Sequence, residues 1–301
     1  MGELDRRVVV VTGAGRGIGA AVAEGLAAEG ARVVVNDLGV ALDGSTPEDG
    51  PAHEVAAHIR GAGGEAIADA SDVTDFAAAE RLIAKAVQEF GRLDVLINVA
   101  GILRDGMIFK MAEEQWDAVI DVHLKGTFNT TRHASAYWRE NRGGEFRLIN
   151  FTSASGLYGA PSQPNYAAAK MGIIGLTFSC ANALRQYGVT SNAVSPIATT
   201  RMTMTVDKGR AIGRYTPENG RLDARNVVPA VAYLASERSG WLNRRVITAG
   251  NGRIGLMNEP DLQREITASS GVWDVPTAFA EIEDSFRAAV QHPNIFDRPR
   301  G

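Results

Sequence analysis

A single cysteine, Cys180, excludes an internal disulfide. It lies in the apolar stretch GIIGLTFSCANAL without Cys or His at ligand spacing, so a structural zinc site is excluded too, and a buried small hydrophobe is the reading left. Histidine is scarce: there are five, and His53 and His58, five apart, do not share one face of a helix. No metal is expected. No run approaches the roughly 18 apolar residues of a membrane span, and MGELDRRVVVVTG carries no apolar leader, so a chain without a membrane span and a cytoplasmic location are expected. Neither sign of charge dominates. The 31 basic residues are scattered against 35 acidic ones, for a net charge of −4, which leaves no electrostatic footprint for nucleic acid. No internal repeat is visible.

What is present is alternation. Short β-branched runs (RRVVVVTG, ARVVVNDLG, EAIADASDV, LDVLINVAG) take turns with Ala-rich periodic stretches (GIGAAVAEGLAAEG, PAHEVAAHIRGAG, DFAAAERLIAKAVQEFG). This β-α-β order requires a parallel sheet covered on both faces. It continues through a long helix at 113–140, a strand FRLINFTS, a helix at 165–187, a strand TSNAVS, a helix at 226–235 and a strand RRVITAG. The fold expected is α/β, a Rossmann-type doubly wound parallel sheet of about seven strands, over residues 1–255. Residues 256–301, with the amphipathic piece TAFAEIEDSFRAAV, form a C-terminal extension folded on that domain or on a neighbouring subunit. The stretches 39–50 and 199–223 break the alternation, and long segments of this kind tend to carry function.

TGAGRGIG, Thr12 to Gly19, follows a four-valine strand and opens a helix. Glycines in that context let a pyrophosphate approach backbone N–H groups at a helix N-terminus. Asp37 ends the second strand, where a carboxylate accepts hydrogen bonds from ribose hydroxyls and repels a 2′-phosphate, favouring NAD over NADP. Arg16 pulls the other way, since a basic residue in this loop can meet a phosphate. The plainer alternatives are glycines that only pack helix on strand and an Asn36-Asp37 pair that only turns the chain.

In TSASGLYGAPSQPNYAAAK, Tyr166 and Lys170 are four apart and share a helix face, with Ser153 thirteen residues before the tyrosine. Free tyrosine titrates near 10, and bringing it toward 7 takes roughly 4 kcal/mol, which a nearby ammonium and an oxidised nicotinamide supply together. Alone, such a pair is commonly coincidence. Joined to TSAS at the end of the fifth strand, NVAG after the fourth and the upstream glycine loop, it reads as a proton-transfer site.

TGAGRGIG, NVAG, the Ser153 to Tyr166 interval and YAAAK together resemble the short-chain dehydrogenase/reductases over about 7–255. The resemblance implies an oxidoreductase with NAD as cofactor. Tyr166 would be its acid/base, Ser153 would polarise the substrate oxygen, with Ser155 a competitor, and Lys170 would hold the nicotinamide ribose and lower the tyrosine pKa. It further implies cofactor contacts from Gly13, Arg16, Gly17, Ile18 and Gly19, from Asp37, Asp72 and Val73, from Asn98, Ala100 and Gly101, from Tyr166 and Lys170, and from Pro196 and Thr200. Two departures stand out: VHLKGTF places His123 where the family commonly has Asn, and Pro196-Ile197 replaces Pro-Gly.

VVVNDLG, AGILRD, VHLKGTF, SASGLYG, QPNYAAAK and TTRMT are similar to the (3R)-hydroxyacyl-CoA dehydrogenases of the peroxisomal multifunctional enzyme of β-oxidation and their bacterial relatives. That subgroup implies His123 as a catalytic relay residue, against the alternative of a core histidine, and an acyl-CoA substrate. Arg104, Arg201, Lys208 and Arg210 are the cations expected for its phosphates. A steroid-like alcohol is the alternative substrate, and a nicotinamide-sensing protein without turnover the remote alternative. The family also implies a homodimer or homotetramer.

Overall fold

The computed structural model describes residues 2–39, 50–198 and 223–290. Strand β1 (Val8–Thr12) is buried along its whole length, as four successive valines require. It pairs in parallel with β2 (Arg32–Asn36) on one side and β4 (Val95–Asn98) on the other. The full order is β3-β2-β1-β4-β5-β6-β7-β8, adding β3 (Glu65–Asp69), β5 (Phe146–Phe151), β6 (Val189–Ile197), β7 (Val246–Gly250) and β8 (Arg253–Leu256). β8 pairs antiparallel with β7 and raises the expected seven strands to eight among the described residues. Its tight Gly250–Gly252 return, with Asn251 at φ 52, is too short to read as a strand connection from periodicity.

Alternation along β1 sends Val9 and Val11 into one core, with α1 (Gly17–Ala28), α2 (Pro51–Gly61) and α8 (Val228–Ala235). Val8 and Val10 enter the other, with α3 (Phe76–Phe90) and α5 (Gly126–Glu140). Helix α3 starts at Asp75, whose side chain accepts from Ala78 N, and stops at Gly91 with φ 81. The long helix expected at 113–140 is divided: α4 (Glu113–Ile120) meets α5 through a π turn at Asp121–Lys125. After the five-residue α6 (Ala154–Tyr158), helix α7 (Pro164–Leu184) carries the YAAAK run. Together with the 3-10 turn after it, Pro164–Tyr187 is by length and composition apolar enough to cross a membrane, a test that core helices also pass. Its Lys170, Ile173, Thr177 and Ala181 are buried within the protein instead.

Contacts divide the chain into Met1–Met257 and Asn258–Gly301, two residues beyond the expected boundary because β8 continues to Leu256. Within the second unit, α9 (Val275–Ala289) is capped by Asp274, whose side chain accepts from Thr277 N at 3.0 Å.

At the N-terminal ends of the strands, the fully buried Asp94 accepts from Val8 N at 2.8 Å and from Arg92 Nη2 at 2.6 Å. The buried Arg147 bridges Ser236 O, Ser239 Oγ and Glu145. Asp94→Ala strands the buried Val8 N–H and removes the partner of Arg92. Urea denaturation is expected to show a loss of about 3 kcal/mol.

Candidate active site

The strand order reverses between β1 and β4, and successive loops leave in opposite directions there. A cavity of about 280 Å³ lies at this point, over the C-terminal ends of the parallel strands. Gly13, Arg16, Gly17, Ile18 and Gly19 line it from the glycine loop, and Asp37, Asp72 and Val73 from the ends of β2 and β3. Ala100, Gly101 and Pro196 line it from beyond β4 and within β6, and His123, Ser153, Tyr166 and Lys170 complete the wall. Asn98 does not line it. That side chain is buried below, donating to Asn150 Oδ1 and accepting from Thr130 Oγ1. Thr200, Arg201, Lys208 and Arg210 lie outside the described residues; Arg104 is half-buried. Sequence reasoning missed Thr12, whose hydroxyl accepts from Val99 N and Ala100 N and ties the crest of β1 to β4. It also missed Leu38, Ile102, Val122 and Phe151 in the wall, whose only sequence signal is that they neighbour motif residues.

The loop suits a dinucleotide. Gly13 has φ +63, and a Cβ there would come within 2.6 Å of Ala100 Cα, so the chain lies flat against β4 only as glycine. Helix α1 begins at Arg16 with no side chain capping its first turn, which leaves backbone N–H groups for an anion. Asp37 Oδ2 accepts from Gly15 N and Oδ1 from Gly39 N, both at 2.8 Å. The carboxylate therefore shapes the loop while still lining the cavity.

Ser153 sits at the N-cap of α6, its Oγ accepting from Ser155 N at 3.2 Å, and its side chain lies toward the Tyr166 phenol, whose ionised form it favours. Ser155, the competitor, donates its hydroxyl to Gln163 Oε1 at 2.9 Å. Tyr166 is oriented by Asn165, which accepts from Tyr166 N and donates to Arg104 O and Gln115 O. Lys170 Nζ donates to Phe151 O at 2.7 Å and stands 5.6 Å from the centre of the Tyr166 ring.

The electrostatics of the protein residues alone differ from the sequence expectation. Burial pushes Tyr166 up from 10.0 to about 12, with the Ser153 side chain opposing it, and pushes Lys170 down from 10.5 to about 7. Loss of hydration outweighs the attraction expected to acidify the tyrosine.

His123, in the π turn, meets Tyr166 edge-on with ring centroids 5.0 Å apart. Gly101 leaves room for its ring. Burial, then the Lys170 charge, lowers its pKa well below 6.5, so the imidazole is neutral. Its Nε2 lies 2.8 Å from Ile102 O and 3.1 Å from Ile102 N, while the buried Nδ1 has no hydrogen-bond partner. A proton on Nε2 satisfies the shorter contact and leaves Nδ1 as an acceptor.

The shifts imply a stability profile. The folded chain releases the Lys170 proton above about pH 7, whereas the unfolded chain holds it to 10.5. Across that window the unfolded state binds more protons, so stability rises with pH. Tyr166 acts oppositely above its ordinary 10.0, because the fold keeps the proton to about 12. Nucleotide-free protein is expected to resist urea better at about pH 9.5 than at about pH 7, with the gain lost in Lys170→Met. An unchanged gain in the variant would contradict the assignment.

Comparison with known proteins agrees with this geometry. The family model described as short chain dehydrogenase matches residues 7–211. Hydroxyacyl-CoA dehydrogenase ChsB1 of Mycobacterium tuberculosis is 43% identical over 290 residues, covering 94% of this chain and 90% of that protein. The peroxisomal hydratase-dehydrogenase-epimerase of Neurospora crassa is 38% identical over 92% of this chain, which spans 31% of that longer protein. A crystal structure of a short chain dehydrogenase from Mycobacterium avium superposes with a TM-score of 0.85 at 44% identity, covering 98% of both chains. With the glycine loop, the Ser-Tyr-Lys cluster and the eight-stranded sheet in place, the chain belongs to the short chain dehydrogenase family of oxidoreductases.

Proposed function

We propose that this oxidoreductase interconverts (3R)-hydroxyacyl-CoA and 3-oxoacyl-CoA with NAD. The convergence of Ser153, Tyr166 and Lys170 on one cavity wall carries the reading. The acyl-CoA class is supported by a relative named hydroxyacyl-CoA dehydrogenase, matched over nearly the whole chain. Bound nicotinamide supplies the hydride acceptor. Tyr166 takes the proton of the substrate hydroxyl, and Ser153, on the same cavity wall, orients the substrate oxygen beside it. Lys170 would hold the nicotinamide ribose, and its protonated form would favour the ionised tyrosine. Asp37 receives the adenosine ribose hydroxyls and repels a 2′-phosphate, with Asp72 and Val73 beside the adenine. His123 Nδ1 serves as a relay acceptor.

A homodimer or homotetramer belongs to the same proposal, supported by the exposed Phe76, Phe128 and Met171 on α3, α5 and α7. So does a cytoplasmic location, supported by the unpaired Cys180.

Substrate class is tested by kcat/KM for a (3R)-hydroxyacyl-CoA, its free acid and a 17β-hydroxysteroid at two ionic strengths. The thioester is expected to lead the acid by on the order of 10² and to lose part of that lead as salt screens its phosphates. A steroid that outperforms it at both salts overturns the acyl-CoA assignment. Tyr166→Phe is expected to lower kcat by about 10² with cofactor affinity retained, and wild-type turnover would remove Tyr166 as the base. Asp37→Ala is expected to narrow a preference for NAD over NADP, measured by steady-state kinetics; a wild-type preference for NADP refutes the ribose role. His123→Asn is expected to keep substantial activity and His123→Leu to lose most of it; equal rates return His123 to the core.

A further inference from the structure

We propose that Asp105 is a positioning residue that sets the hydrogen-bond direction of Ser153 through Gln163 and Ser155. The four side chains come from three separate segments: the loop after β4, the loop before α7, and the end of β5 with the start of α6.

Gln163 Nε2 donates to both Asp105 oxygens, at 3.1 and 3.3 Å. Gln163 Oε1 accepts from Ser155 Oγ at 2.9 Å, and Ser155 N donates to Ser153 Oγ at 3.2 Å. An ionised carboxylate only accepts, so the Gln163 amide is held with its nitrogen toward Asp105 and its oxygen toward Ser155. The Ser155 hydroxyl must then donate to that oxygen, so Ser155 meets Ser153 through its backbone N–H alone. One lone pair of Ser153 Oγ is engaged by Ser155 N, which leaves its proton to turn toward the phenol and the substrate oxygen.

The reasons to place this chain outside ordinary packing are two. Asp105 is exposed on its loop, where burial offers little gain, whereas Gln163 is buried and would otherwise hold an amide with an unsatisfied nitrogen. Gln163 is also the N-cap residue of α7, three positions before Tyr166, so its position fixes where the helix bearing that tyrosine begins. Gly106 N donates to Ser162 O at 2.8 Å and draws the two loops together beside it.

The inference rests on the proposed roles of Ser153 and Tyr166, and the experiment separates the two. Rates with NAD and (3R)-hydroxyoctanoyl-CoA are measured for Asp105→Ala, Asp105→Asn, Ser155→Ala, the Asp105→Ala/Ser155→Ala pair and Tyr166→Phe, alongside melting temperature and NADH affinity by fluorescence. Asp105→Ala is expected to lower kcat about tenfold with KM, melting temperature and NADH affinity near wild type, because a misdirected catalytic group costs rate rather than binding. Asp105→Asn, which keeps an acceptor oxygen, is expected to lose less. The pair is expected to lose no more than Asp105→Ala alone, since both changes release the same link. Wild-type kcat in Asp105→Ala, a loss confined to KM, or losses that multiply in the pair overturn the inference while Tyr166→Phe still shows its large loss of kcat. Full turnover in Tyr166→Phe overturns the underlying proton-transfer reading instead.

Discussion

Burial of β1 on both faces is the constraint from which the rest follows. A strand with Val9 and Val11 in one core and Val8 and Val10 in the other needs helices above and below it. Parallel pairing with β2 and β4 makes each connection a crossover, so every parallel strand ends on the same edge of the sheet. The order reverses beside β1, and the departing loops part there. The cavity is thus a consequence of covering four valines rather than a separate feature grafted onto the fold.

Beneath that cavity, polar groups lock the layers. Asn98 on β4 donates to Asn150 on β5, Asn150 donates to Thr177 on α7, and Thr130 on α5 donates to Asn98. This chain joins the helix that bears Tyr166 and Lys170 to the helix that follows the His123 turn. Polar residues in a sheet interior are expensive unless every member is paired, and these are. Their specific geometry holds two helices in register where apolar contacts alone would allow sliding.

Burial also explains the opposed behaviour of the central pair. The same dry environment holds a proton on Tyr166 and removes one from Lys170, so both groups favour neutrality in the protein alone. Positive charge brought beside the pair would favour the ionised tyrosine while opposing the lysine ammonium, so the two groups would respond in opposite senses. The contact from Lys170 to Phe151 O keeps the amine aimed at the cavity.

Sequence by itself determined what is local. Valine runs specify buried strands, the glycine loop marks the β1–α1 turn, and the four-residue spacing puts Tyr166 and Lys170 on one helical face, because backbone periodicity depends on near neighbours. Much of the site was legible for that reason. Tertiary structure decided what depends on distant residues meeting. Asn98 reads as a cofactor wall yet serves as a strut, since its partners Asn150 and Thr130 lie 52 and 32 residues away. The uninterrupted periodicity of 113–140 hides the π turn at His123, whose room comes from Gly101 on another segment. The order of the tyrosine and lysine pKa values belongs to the same class, because spacing reports proximity while only the packed surroundings set the cost of removing a charge from water.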